Sequence, residues 1–214
     1  MMNNFALKNT DALQQRLESY GFLSDMFLSM LDETVASNIL KLDITQHADS
    51  PGMRQIDEFI SKHRADEIEN VLQELAIDRA KLLRGVNADG YRPPYESLHL
   101  RQPPQDIIGS LNQFYAKIDC RVSLDIKESP EQIGVEFYYM QALCNKELEA
   151  LGNGLSDEAQ VFNRLQQSFL KQHLGRWAGL FAQGMVRQAQ TSFYRGIALL
   201  IQELLDDELA SLAH

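Results

Sequence analysis

Proline placement constrains this chain more than any other feature. Pro51, Pro93, Pro94, Pro103, Pro104 and Pro130 are its only prolines, and none follows Pro130 in a sequence of 214 residues. Inside a helix, a proline removes a hydrogen bond and clashes with the preceding turn, at a cost of about 3 kcal/mol. Everything beyond Pro130 is therefore free to be helical, and its apolar residues have the helical period. Phe162, Leu165, Phe169, His173, Trp177, Leu180 and Phe181 recur at steps of three and four, which predicts one continuous helix face. Phe193, Ile197, Leu200, Ile201, Leu204 and Leu205 predict another, with a turn between Gly184 and Thr191.

The same reading gives the earlier helices. One is expected near residues 11–20, and a second carries Phe22, Leu23, Met26, Phe27, Met30 and Leu31. A short helix holds Ile56, Phe59 and Ile60, and a longer one holds Ile68, Val71, Leu72, Leu75, Leu82 and Leu83. A turn-rich loop follows, with Asp89-Gly90 as its strongest signal. Pro103-Pro104 precedes a helix with Ile107, Ile108, Leu111, Phe114 and Ile118. From Arg121 to Lys127 the apolar residues alternate, and a lone strand would have nothing to pair with, so this stretch reads as an extended connector. Ser129 then suits an N-cap, Pro130 a first helical position, and Gln132 completes a capping box. Ile133, Phe137, Met140, Cys144, Leu148 and Leu151 form the buried stripe of that helix, Gly152 and Gly154 end it, and Ser156 caps the next. The expected fold is all-α: a single compact bundle of about ten helices in two lobes. The N-terminal lobe covers residues 1–120, the connector 121–128, and the C-terminal lobe 129–214.

Charge and motif content narrow the function. The net charge of −10 repels phosphate backbones, which argues against nucleic acid as a partner. Cys120 and Cys144 lie far apart, with no C-x-x-C pair, so neither a disulfide scaffold nor a thiolate zinc site is expected. The first ten residues lack a basic segment followed by an apolar one, and Ile197–Leu205 is too short and polar to span a bilayer. A cytoplasmic protein without a membrane span is the expectation. No phosphate loop, dinucleotide fingerprint, H-E-x-x-H or nucleophile elbow occurs, so no catalytic residues and no cofactor are expected. Glu96-Ser97-Leu98-His99 has the E-x-x-H spacing of a di-iron bundle, but a second copy is missing, so no metal is expected there. The five histidines are scattered, and His173 reads as a core residue.

Two clusters remain. In Tyr91-Arg92-Pro93-Pro94-Tyr95-Glu96, two prolines stiffen the backbone, so the loop either presents Tyr91 and Tyr95 to a partner or caps the core. In Glu128-Ser129-Pro130-Glu131-Gln132, the capping box explains every residue except Glu128 and an exposed Glu131.

The strings P-P-Y-E-S-L at 93–98 and E-S-P-E-Q at 128–132, the latter running into Ile133-Gly134-Val135-Glu136-Phe137-Tyr138-Tyr139-Met140, together with Phe169–Trp177 and Leu82-Leu83-Arg84-Gly85, resemble one family. They are similar to the TorD/DmsD family of redox-enzyme maturation chaperones, over roughly residues 65–205. The resemblance implies an all-helical cytoplasmic chaperone, not an enzyme. Such a protein binds the twin-arginine leader of a molybdopterin oxidoreductase subunit and holds it until the cofactor is inserted. The family's E-P-D-H-type motif maps onto Glu128, Pro130, Glu131 and Gln132, with glutamate for aspartate and glutamine for histidine. That exchange removes a titratable imidazole while keeping one carboxylate. Tyr95 takes the place of the family's aromatic after the two prolines.

The leader-binding residues expected from this are Tyr91, Pro93, Pro94, Tyr95, Glu96, Glu128, Pro130, Glu131 and Gln132, with the two clusters close together in space. Three other readings compete: a nucleotide- or metal-dependent helical enzyme, a nitrate-reductase-type assembly chaperone for a subunit that is never exported, and a helical scaffold without leader preference. The oligomeric state is open between a monomer and a dimer that swaps lobes at the connector.

Overall fold

The computed structural model describes residues 2–44, 49–84, 90–118 and 128–212, with side chains from residue 10 onward. The connector expected at Arg121–Lys127, with Cys120 before it, lies outside the described residues, as do Gly85 and Asp89. Ten helices and no strand occur among the described residues, as expected of an all-α chain: α1 (Met2–Leu28), α2 (Glu33–Leu40), α3 (Pro51–His63), α4 (Ile68–Arg84), α5 (Glu96–Leu100), α6 (Pro104–Ala116), α7 (Ile133–Gly152), α8 (Ser156–Gln172), α9 (Leu174–Gln188) and α10 (Ser192–Leu212). The chain forms two compact units, each from two separate stretches. One joins Met1–Ser29 with Leu100–Arg176, and the other joins Met30–His99 with Trp177–His214. The sequence reading instead divides the chain once, at 121–128.

The first unit is built around α7. Ile133, Val135, Glu136, Phe137, Tyr139 and Met140 are all buried and Tyr138 is half-buried, so the first half of this helix has almost no solvent face. A helix enclosed on every side belongs at the centre of its unit. α1 packs along it, with the rings of Tyr20 and Phe27 centred 6.1 and 6.2 Å from Phe137. α1 is one helix where two were expected, because Gly21 does not break it. A Cβ at Gly21 would meet Gln141 Nε2 at 2.5 Å, so the glycine allows close approach to α7. On α7's other side, Tyr139 meets Phe169 of α8 at 4.7 Å and donates its hydroxyl to Phe114 O of α6 at 2.9 Å. Each large side chain buried this way contributes about 1.5–3 kcal/mol.

Helix ends differ from the sequence expectation in three places. α7 begins at Ile133 with Gln132 as its N-cap, so Pro130 sits in a preceding turn and not at a first helical position. Ser156 opens α8 as its first residue, Leu155 is the N-cap, and no side chain caps this end. The expected continuous helix through Phe162–Phe181 is two helices, broken at His173, whose φ of −130° and ψ of −97° leave the helical region. His173 is buried, and its Nε2 lies 2.8 Å from Ser110 Oγ of α6.

In the second unit, α3 and α10 pack closest. A Cβ at Gly196 would meet Gly52 O and Ile56 Cγ1 at 2.7 Å, and one at Gly52 would meet Leu200 Cγ at the same distance. Two facing glycines let the backbones touch. Glu203 of α10 accepts from Ser50 Oγ at 2.6 Å and from Gly52 N at 2.8 Å, placing a carboxylate on the N-terminus of α3. Asp78 of α4, almost fully buried, accepts from Gln190 N, Thr191 N and Thr191 Oγ1 at 2.7–3.1 Å. That carboxylate fixes the turn into α10. α2, which the sequence reading missed, packs against α4 and α3, with Asp32 accepting from Val35 N at 2.8 Å.

Candidate functional site

The first cluster belongs to the second unit and is held from within. The Tyr91 ring lies 6.4 Å from Phe181 of α9, and Gly184 admits it, since a Cβ there would come within 3.3 Å of the ring. Its hydroxyl donates to Leu82 O at 2.9 Å, satisfying a carbonyl in the last turn of α4. Burial raises the phenol well above its ordinary value, and the charge of Asp78 adds to the shift. Tyr91 is thus a buried anchor and not an exposed ring.

Pro93 provides the hinge of the loop. Its carbonyl accepts from Tyr95 N at 2.8 Å and from His99 Nε2–H at 3.0 Å. A carbonyl only accepts, so Nε2 carries the proton. The imidazole lies against Trp177 at 5.2 Å and edge-on to Phe181 at 5.8 Å. Burial lowers its pKa, with the Arg92 charge pushing the same way and the Pro93 hydrogen bond opposing. His99 therefore clamps the loop as a neutral ring. Among the described residues no group of three His, Cys, Asp or Glu is placed to hold a metal. Pro94, Glu96 and Ser97 are buried, Pro93 and Tyr95 are half-buried, and Leu98 is exposed. Glu96 opens α5 and is fully buried.

The second cluster belongs to the first unit. Gln132 N donates to Ser129 O at 3.0 Å, forming a turn, and Pro130 O accepts from Tyr115 OH of α6 at 2.7 Å. Gln132 Oε1 accepts from Gly134 N at 2.5 Å, while Gly134 O accepts from Ser24 Oγ of α1 at 3.0 Å. The segment is thus fastened to α6 and α7, and the start of α7 to α1. Gln132, read from the sequence as the far end of a capping box, is itself the cap. Glu131 is 5% exposed, against the expectation that it faces solvent, and Glu128 is exposed. Tyr115, which anchors the turn, was missed by the sequence reading. It belongs to a cluster with Phe114, Tyr139, Phe169 and His173 that no local pattern marks.

A family model described as the nitrate reductase delta subunit matches residues 46–183, a span that includes both clusters. The chain is 29% identical over 100 residues to the selenate reductase assembly chaperone protein of Thauera selenatis, covering 47% of this chain and 50% of that one. It is 23% identical over 202 residues to the chaperone protein TorD of Shewanella pealeana, covering 87% and 85% respectively. The chain therefore spans half the length of the first relative and most of the second. No solved structure matches it.

Proposed function

The chain belongs to the nitrate reductase delta subunit family of TorD-like chaperones, and from that premise we propose that it is an assembly chaperone for a molybdopterin oxidoreductase subunit. In this reading it binds the subunit's twin-arginine leader in the cytoplasm, holds it until cofactor insertion and folding are complete, and performs no chemistry of its own. The observation that carries the reading is the family match running across both clusters. Two relatives whose names contain chaperone support it. No helix among the described residues is long and apolar enough to cross a membrane, which is compatible with this role.

A twin-arginine leader offers a cationic stretch and then an apolar, helix-prone one. Its receptor needs carboxylates beside an aliphatic and aromatic surface, as in helix-in-groove recognition. Glu128 is the exposed carboxylate of the second cluster, with Pro130 half-buried beside it, and Pro93 and Tyr95 are half-buried in the first. We assign leader contact to these four. Tyr91, Pro94, Glu96, Glu131 and Gln132 are buried and hold the contact residues in place.

Titrating a fluorescent twin-arginine leader tests this. Binding is expected to saturate, to weaken as salt rises, and to weaken about tenfold in Glu128→Gln, the loss of one charge-assisted contact. A leader with both arginines replaced by glutamine that binds equally well removes the leader reading. The family's nitrate reductase description favours a second reading, in which the client is a subunit that is never exported. Pull-down from the native host separates the two, because the captured subunit either carries a twin-arginine leader or does not.

A further inference from the structure

A cleft of about 200 Å³ opens in the second unit between the start of the 90–95 loop and the outer face of α9, with Tyr91, Arg92, His99, Leu180, Arg187 and Gln188 among its lining residues. Among the described residues no aspartate or glutamate lines it, in a chain whose net charge is −10. An arginine in the last turn of a helix ordinarily serves the helix's own carbonyls. Here that work is done by others: Lys81 Nζ donates to Gln188 O at 3.3 Å, and Arg195 Nη2 to Ala189 O at 3.1 Å. Among the described residues neither the Arg92 nor the Arg187 guanidinium has an ion-pair or hydrogen-bond partner. The other polar groups nearby are spent, since Tyr91 OH is committed to Leu82 O and His99 Nε2–H to Pro93 O.

We propose that this cleft binds a small oxyanion, a phosphate or carboxylate group on a compact organic body, gripped by the guanidinia of Arg92 and Arg187. Guanidinium forks match the paired oxygens of both groups. Leu180, 55% exposed on the rim, gives the apolar part of the ligand a surface. The volume lies below the roughly 300–1,000 Å³ of pockets for drug-sized ligands, so the ligand is small. A long acidic polypeptide would be repelled by the rest of this acidic chain, whereas a small anion feels charges only within a screening length of about 8 Å. The proposal goes beyond leader recognition and is independent of it, because two arginines repel a leader's arginines.

The test is a ¹⁵N–¹H NMR titration of the full chain with inorganic pyrophosphate, inorganic phosphate and succinate, each at constant ionic strength set with sodium chloride. At least one anion is expected to give saturable shifts confined to residues 90–92, 99 and 180–188. Binding by the phosphates alone identifies a phosphate site, and binding by succinate alone a carboxylate site; either supports the proposal. Arg92→Gln and Arg187→Gln are each expected to weaken binding at least about tenfold. Arg187→Lys, which keeps the charge but loses the fork, should fall between, and Lys62→Gln should change nothing. The side chain of Lys62 is 64% exposed. Absence of saturation by all three anions up to about 10 mM, an affinity weaker than about 3 kcal/mol of binding free energy, overturns the proposal. So does binding that survives in the double arginine variant, or saturable binding of an acidic peptide without binding of any small anion.

Discussion

His99 shows how one side chain changes meaning between sequence and structure. In sequence it closes an E-x-x-H string that lacks the second copy a metal site needs, and in the fold it is a neutral clamp on the Pro93 carbonyl. Its depressed pKa gives a signed consequence. Above the ordinary histidine value of about 6.5, the ring is neutral in both folded and unfolded chains and adds no pH dependence. As pH falls through that value, the unfolded chain takes up a proton that the folded ring refuses, so stability falls until the pH passes the lowered folded pKa. Urea unfolding of wild type and His99→Gln at pH 7.5 and 5 is therefore expected to show the wild type's advantage shrinking at the lower pH. A constant or widening gap would remove the clamp's neutral state. The carboxylates carry a related lesson. Glu96 and Glu131 read as surface charges because glutamate is rarely buried, yet both are covered. Their positions in the P-P-Y-E and E-S-P-E-Q strings were legible, but their burial depends on contacts distant in sequence.

At the scale of helices, periodicity revealed the long elements and hid their joints. The step of four from Phe169 to His173 to Trp177 continues across the break at His173, because His173 is buried and its neighbours keep the interval. At the break Ser110 on α6 meets the imidazole, a tertiary contact that no local pattern in α8 announces. Beyond the break, α9 buries Trp177, Ala178, Phe181, Ala182 and Met185, and Leu180, expected in the stripe, is exposed. Small alanines on the inner face carried too little hydrophobic signal to compete with leucine. α2, eight residues long, is shorter than a dependable periodic window. Glycines divide the same way. Gly21 and Gly196 sit where another element touches them, while Gly109 in α6 has nothing within 4 Å of a built Cβ. Gly196→Ala is expected to cost about 1–3 kcal/mol or more, since backbone oxygen blocks the added methyl. Gly109→Ala should gain about 0.5–1 kcal/mol from helix propensity. Thermal melts of the two variants check both signs, and equal effects would contradict the α3–α10 contact.

For the whole molecule, the decisive fact is that neither compact unit is a continuous stretch of chain. α1 and α6 come before residues 121–127, and α7 and α8, which they need to form one unit, come after. α2, α3 and α4 likewise come before, while α10 and most of α9, their partners in the other unit, come after. A cut at the connector therefore leaves two fragments, each holding half of both cores. In the fragment 129–214, α7 would expose a stretch, Ile133–Met140, that is apolar but for Glu136 and the tyrosine hydroxyls, and α10 would lose the glycine contact with α3. Exposed apolar surface of that kind is lost stabilisation of about 25 cal/mol per Å². A marginally stable domain does not survive the loss of half its core. Fragments 1–120 and 129–214, made separately, are accordingly expected to lack a cooperative thermal transition by circular dichroism. Mixed, they are expected to recover one, along with the dispersed amide spectrum of the intact chain. The same reasoning makes a dimer that exchanges at 121–127 rebuild both units in trans, since each swapped half brings what the other copy lacks. A cooperative melt from 129–214 alone would show that the cores are not shared across the connector, and the exchange would then have nothing to restore.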